Sequence, residues 1–472
     1  MSAQQDSLAA GDVSVPQSRP VHRGLIFVIV ALALLMMSVD TTIVATALHA
    51  LRTGLQTSIG WAGWTITAYS LGFVVMLPVS GRLSELYGCR KVFLGSIIAF
   101  TVASLCCGMV DNIYLLIALR AVQAAGGAGF TPSATKIIVD NFGSARDRAL
   151  GLFGSIFSIG AMIGPIFGGL FVTYGSWRGI FLVNVPIGLT VAALAFYYVP
   201  ADRPRSEGAR PKLDAKGIAL LGGGLLFGML AVSYLGESTA DLSWPVLAAL
   251  VAVTVLALWM FFRHIGRSAN PFIPPRLIVG PGFGAVNLLN AAYGGVSSAV
   301  IALVPLYAIN RYGIDSLGSS VLLVAQGAAA IVFSVVSTFS LRRTGYRAPM
   351  AAGCVVMAAG VVLLAVQPVA GMTAVLWLAA STFLIGMGRG INNPASRNAG
   401  LQLAPKSAST LAALRTMSMQ IGTIVTVTAD TAILAASHDP GSAQAVLFVA
   451  EAALVLATLP LVRRVPEHSG AW

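Results

Sequence analysis

Apolar residues run in stretches of about twenty along this chain, each cut off by a short segment rich in charge, glycine or proline. Twenty residues is the length a helix needs to cross the hydrocarbon core of a bilayer. The pattern predicts helices over 24–50, 59–80, 92–110, 112–134, 148–172 and 179–199, then over 217–235 and 244–262. Six more are predicted over 281–310, 317–341, 348–367, 372–396, 408–436 and 442–463, which makes fourteen. The fold class expected is an all-α integral membrane protein.

The placement of charge tests that count, because basic residues concentrate in the loops on the cytoplasmic side of a membrane. With the N-terminus inside, Arg19, Arg23, Arg82, Arg90, Lys91, Lys136, Arg146 and Arg148 fall on that side. So do the loop from Arg203 to Lys216, then Arg263, Arg267, Arg276, Arg342, Arg343, Arg347, Arg397, Lys406, Arg463 and Arg464. Arg52, Arg178 and Arg311 fall outside. Both termini are therefore expected in the cytoplasm, with the chain in the cell (plasma, inner) membrane.

Composition agrees: 57% of the 472 residues are hydrophobic and 10% charged, and the mean hydropathy is +0.83, above ordinary soluble domains. The net charge of +12 is accounted for by topology and favours anionic inner-leaflet lipids as partners rather than nucleic acid. Cys89, Cys106, Cys107 and Cys354 have no metal-ligand spacing. No phosphate-binding loop and no nucleophile–base spacing is present, so neither ATP-driven transport nor enzymatic catalysis is expected, and no cofactor or metal. Residues 1–23 are polar and too long a prelude for a cleaved signal peptide.

Thr131-Pro132-Ser133-Ala134 is echoed by Asn393-Pro394-Ala395-Ser396, and Ile159-Gly160 by Ile421-Gly422 at the same displacement. Two six-helix halves related by a parallel repeat are a known transporter plan. The expected organisation is a tail (1–23), a first six-helix bundle (24–200), a basic loop (201–216), two inserted helices (217–264), a second six-helix bundle (265–464) and a tail (465–472).

Between the second and third helices stands Gly81-Arg82-Leu83-Ser84-Glu85-Leu86-Tyr87-Gly88-Cys89-Arg90-Lys91. It reads as a short turn with glycines at both corners and an acid among bases, and an ion-pair network of that kind can hold one conformation and break in another. The fifth helix carries Gly160-Ala161-Met162-Ile163-Gly164-Pro165-Ile166-Phe167-Gly168-Gly169, a face on which a neighbouring helix can approach closely. The first has Val39-Asp40-Thr41-Thr42-Ile43-Val44-Ala45-Thr46, the fourth Arg120-Ala121-Val122-Gln123-Ala124-Ala125-Gly126-Gly127, and the corner before the sixth Trp177-Arg178-Gly179-Ile180-Phe181-Leu182-Val183-Asn184-Val185-Pro186. Together these resemble the major facilitator superfamily, in its fourteen-helix drug:proton antiporter branch.

The resemblance implies the major facilitator fold, two six-helix bundles plus two inserted helices, and alternating access coupled to protons. Gly160, Gly164, Pro165, Gly168 and Gly169 would form the antiporter motif, and Gly81, Glu85, Gly88 and Arg90 the conformational gate. The family commonly has Asp where Glu85 stands and a basic residue where Cys89 stands.

Ionisable residues inside the spans are Asp40, Arg120, Arg389, Arg415, Asp430 and Glu451, and each costs a few kcal/mol if it faces lipid. Asp40, mid-helix, is the candidate for loading a proton on one side and releasing it on the other, with Arg120 as the cation that responds. The other reading of Asp40 is a permanent ion pair, and of Arg120 an anchor to backbone carbonyls. Asp430 is the candidate for a cationic substrate or a second proton. Arg389, Arg415 and Glu451 receive no role.

The function expected is a proton-coupled exporter of drug-like, lipophilic or cationic molecules. A dedicated exporter of one metabolite or lipid is the alternative, and a non-transporting membrane sensor the third reading. The partners expected are a small-molecule substrate, protons and membrane lipids, with the chain a monomer.

Overall fold

The computed structural model describes residues 22–202, 214–236, 243–268, 271–404 and 407–467, apart from single positions at 58, 272, 281, 315, 370, 436, 438 and 466. Arg19, the arginines of the loop after residue 202, Lys212, Lys406 and most of both tails lie outside the described residues. All regular structure among the described residues is helical. This is what a bilayer demands, since a helix satisfies its own backbone hydrogen bonds where no water can.

The first bundle holds α1 (Arg23–Thr46), α2 (Ile59–Tyr87), α3 (Cys89–Met109), α4 (Ile113–Asn141), α5 (Arg146–Tyr174) and α6 (Gly179–Tyr198). The inserted pair is α7 (Ala215–Gly236) and α8 (Trp244–Arg267). The second bundle holds α9 (Phe283–Tyr312), α10 (Ser316–Thr344), α11 (Arg347–Ala365), α12 (Ala374–Leu403), α13 (Ala408–Ala435) and α14 (Pro440–Ala457). Among the described residues, ten of these helices are long and apolar enough to cross a membrane. The other four, α5, α7, α9 and α13, are 22 to 30 residues long and stand where the hydrophobic pattern expects spans.

Several predicted boundaries move, α12 for example running on from the predicted 396 to Leu403, and two departures have clear physical reasons. Hydropathy marks the thickness of lipid, not the end of a helix, and α2 runs on to Tyr87. The stretch from Gly81 to Tyr87 is therefore helix rather than turn, and the only break is Gly88, whose φ of 102° favours a residue without a Cβ. In α4 the helix is interrupted at Ala128 and Gly129 and restarts at Phe130, whereas the repeat-related Pro394 sits inside an unbroken α12.

The helices meet through small residues, as expected where lipid supplies no hydrophobic drive between them. A methyl group on Gly353 of α11 would stand 2.8 Å from the Gly388 carbonyl of α12. The repeat is visible in the same terms. In the first bundle Gly160 of α5 lies against Ser38 of α1, and in the second Gly422 of α13 lies against the Ala291 backbone of α9. The close approach survives in the second bundle although α13 lacks the later glycines, because α9 supplies Gly294 and Gly295, which abut Met419 and Gly422.

The inserted pair is held together by Gly224 against Leu258 and Gly228 against Thr254, and at its basic end by Asp214, which meets His264 Nε2 at 2.8 Å. On α8, Val251, Val255, Trp259 and Phe262 are exposed on one helical face, as are Ile98, Val102, Leu105 and Met109 on α3. Such stripes suit contact with acyl chains.

Candidate functional site

Asp40 is buried in the first bundle: it is 1% exposed, Arg120 1% and Gln123 0%. Arg120 Nη1 donates to Asp40 Oδ2 at 2.8 Å and to Gln123 Oε1 at 2.6 Å. The other carboxylate oxygen, Oδ1, accepts from Gln123 Nε2 at 3.0 Å and from Asn184 Nδ2 at 2.9 Å. Gln123 Nε2 also reaches Ser104 Oγ at 2.6 Å, and Arg120 Nε the Thr65 carbonyl at 3.4 Å. The guanidinium lies over the Tyr69 ring at 4.2 Å and near the Phe181 ring at 5.5 Å.

These residues come from α1, α2, α3, α4 and α6, so one buried ion pair ties five helices of the first bundle together. Such a pair is stable only when its geometry is good and its remaining lone pairs are satisfied, which Gln123 and Asn184 achieve. The sequence-predicted Asp40 and Arg120 are thus brought into contact. Gln123 and Asn184, present in the motifs but given no role by sequence reasoning, complete the site.

The antiporter-motif glycines fit α5 against α1. A Cβ on Gly160 would lie 2.5 Å from Ser38 Cβ, and one on Gly164 3.0 Å from the Val39 carbonyl, one residue before Asp40. Ser38 Oγ donates to the Phe157 carbonyl at 2.8 Å across the same contact. Gly168 is buried, and the surroundings of Pro165 and Gly169 are not among those described.

At the basic end the two bundles are in contact. Gly81 of α2 sits against the Ser409 carbonyl and Ala413 of α13, each 3.0 Å from a built Cβ. Glu85 Oε1 accepts from the Thr410 backbone N–H at 3.2 Å, and its other oxygen meets Arg82 at 3.4 Å. Arg342 of α10 donates to the Ser144 carbonyl at 3.1 Å, and Asn398 of α12 to the Asp147 carbonyl at 3.1 Å. Arg90 and Gly88 belong to a different contact: Asp202 accepts from the Arg90 and Lys91 backbone N–H groups at 3.0 and 3.2 Å and fills the space a side chain at Gly88 would need. Arg90 also hydrogen-bonds to the Phe196 carbonyl.

In the second bundle Asp430 of α13 and Glu451 of α14, both buried, face each other. Apart from the Asp430 carboxyl, neither oxygen of Glu451 has a hydrogen-bond partner among the described residues. Arg415 Nη2 donates to Asn393 Oδ1 at 2.6 Å and its Nε to Ser396 Oγ at 3.4 Å. No group of His, Cys, Asp and Glu among the described residues could hold a metal ion.

The model of the Major Facilitator Superfamily matches residues 30–427. The chain is 29% identical over 443 residues to the methylenomycin A resistance protein of Streptomyces coelicolor, covering 92% of this chain and 90% of that one. It is 37% identical over 254 residues to the cephamycin export protein CmcT of Amycolatopsis lactamdurans, 53% of this chain and 51% of that one. The chain thus spans about half the length of CmcT, and 50% of that of an uncharacterized MFS-type transporter of Mycobacterium tuberculosis. Among solved structures, the human organic anion transporter MFSD10 superposes with a TM-score of 0.67 at 15% identity, over 94% of this chain and 100% of that one, a likeness of fold. With the two bundles, the inserted pair and the family model in agreement, the chain belongs to the major facilitator superfamily and is an integral membrane protein.

Proposed function

We propose that this transporter is a proton-coupled exporter of drug-like small molecules that works by alternating access between its two bundles, within the domain limits set out above. The observation that carries the reading is the buried Asp40–Arg120 pair with its amide partners. Protonation of Asp40 removes the charge that Arg120 is paired with, and an unpaired buried cation is costly enough to drive rearrangement of the helices around it. Because Asp40 neighbours the α1–α5 contact at Gly160 and Gly164, that rearrangement has a path to α5, on which Gly168 lies one turn further, and α5 reaches the seam between the bundles at its basic end. Pro165 and Gly169 complete the proposed antiporter motif.

The basic end faces the cytoplasm, and both termini lie there, in the cell membrane. Gly81 and Glu85 form the inner gate by their contacts with α13, while Gly88 and Arg90 fix the base of α3 against Asp202. Asp430 serves the substrate or a second proton. Protons and membrane lipids are the further partners, and the chain works as a monomer.

Purified protein in liposomes under an imposed pH gradient tests the reading, with substrate movement and internal pH recorded together. Substrate movement at the same rate without a gradient would end the antiport proposal. A dedicated exporter of one compound is a second reading, favoured by relatives whose names each carry a single antibiotic. Competition among unrelated substrates for one uptake signal separates the two, since a dedicated site ignores most competitors.

A further inference from the structure

Arg397 and Arg415 line a cleft at the seam between the bundles, 6% and 8% exposed, and neither is ion-paired with an acid among the described residues. Their partners are neutral. Among the described residues, the acceptors of Arg415 are Asn393 Oδ1 and Ser396 Oγ. Arg397 stacks over the Phe153 ring at 5.1 Å, and its buried Nε has no hydrogen-bond acceptor. A third cation, Arg389, lies two turns up α12. By contrast Arg120, equally buried in the first bundle, has its carboxylate.

Two buried positive charges without a counter-charge carry a desolvation cost that neutral acceptors do not offset. If the side chains served only to brace α12 and α13, a neutral amide would make the same bonds without that cost. The arrangement instead fits an anion that arrives and leaves: guanidinium groups present forked donors matched to carboxylate oxygens. Beside them, Phe283, Val286 and Leu411 offer an apolar wall.

We propose that Arg397 and Arg415 form an anion subsite that takes the carboxylate, or a similar singly charged group, of an amphipathic organic substrate. The inference rests on the exporter reading above and replaces a cationic substrate with an anionic one. In this structure the cleft has a volume of ≈ 20 Å³, whereas drug-sized ligands need about 300 Å³ or more. Its far wall is Thr135 of the first bundle. Parting of the bundles at the basic end, where Glu85 meets Thr410 and Asn398 meets Asp147, withdraws that wall and exposes both arginines on the side from which an exporter loads. Closing the seam surrounds the anion, and its charge substitutes for the missing acid.

The test uses the full chain in nanodiscs of phosphatidylcholine and three radiolabelled probes: biphenyl-4-carboxylate, its neutral amide and tetraphenylphosphonium. The carboxylate is expected to bind about tenfold or more tightly than the amide, as hydrogen bonds to a charged group imply. R415Q should abolish that preference, R415K should keep part of it, and neither should weaken the binding of tetraphenylphosphonium, since no positive charge is added. Equal binding of carboxylate and amide by the unaltered chain overturns the proposal, and needs no variant to fold. So does R415Q that is monodisperse yet keeps the preference, or displacement of the carboxylate by added phosphatidylglycerol, which would assign the arginines to a lipid headgroup. Transport of all three probes is then followed in liposomes under a pH gradient. If none moves, the exporter reading fails while the binding comparison still decides the anion subsite.

Discussion

Asn184 Nδ2 and Gln123 Nε2 converge on the same oxygen of Asp40, at 2.9 and 3.0 Å, leaving the second oxygen to Arg120. The division matters because it separates the neutral partners of the acid from its charged one. When the carboxyl gains a proton, the amides can remain while the guanidinium loses its reason to stay.

Asp40→Asn should therefore leave Arg120 buried without a counter-charge, at a cost of about 3–5 kcal/mol, and abolish gradient-driven transport. Adding Arg120→Gln should restore most of the thermal stability in detergent but no transport. A single variant as stable as the parent would show that the pair does not hold the bundle together.

Asn184→Ala removes one of the two amides and should cost about 1.5–3 kcal/mol, the range for hydrogen bonds to a charged group. Melting of the purified protein is the readout, with Asn184→Asp as the harsher companion, since it sets a second acid against Asp40.

The helix contacts make a sharper test in pairs. Gly160→Ala places a methyl group 2.5 Å from Ser38 Cβ and should destabilise by about 1–3 kcal/mol, as overpacking does. Gly95→Ala, where nothing lies within 4 Å, should be neutral or slightly stabilising, and an equal loss at both would refute the packing account.

Glu85→Ala deletes the hydrogen bond to the Thr410 backbone. At about 1.5 kcal/mol, the low end for a hydrogen bond to a charged group, the population closed at the basic end should fall about tenfold relative to the open one. Distances between spin labels on the basic ends of α2 and α13 report this directly, and an unchanged distribution would remove Glu85 from the gate.

Glu451→Leu should behave opposite to Asp40→Asn. Among the described residues Glu451 has only the Asp430 carboxyl as hydrogen-bond partner, so the variant should be made together with Asp430→Leu, and replacing both acids by apolar side chains should leave thermal stability equal or raise it.

What could be read from the sequence divides along physical lines. Asp40 and Arg120 stand out because a charge inside an apolar run has no bland explanation, but hydropathy does not say that the two touch. Gln123 and Asn184 were visible only as members of motifs, since an amide in a span is cheap enough to pass for surface. The charged stretch from Gly81 to Tyr87 reads as a turn because its polarity matches one; it is helix because α2 protrudes past the lipid and its last turns pack on α13. The repeat was legible in Gly160 and Gly422, yet Gly294 and Gly295, which do the work of the missing glycines, sit on the opposite helix, where displacement along the sequence cannot find them. Arg397 read as a loop cation marking the inner face, and only the fold shows it sealed at the seam.

The inserted pair, finally, is not peripheral. Its first helix, α7, leans on α2 of one bundle, where Gly222 meets Val75, and on α13 of the other. Whenever α2 and α13 part, at least one of them must slide along α7. The insertion therefore bridges the seam: under the proposed alternating access, any parting of α2 from α13 has to break or shift one of the two contacts that α7 makes with them.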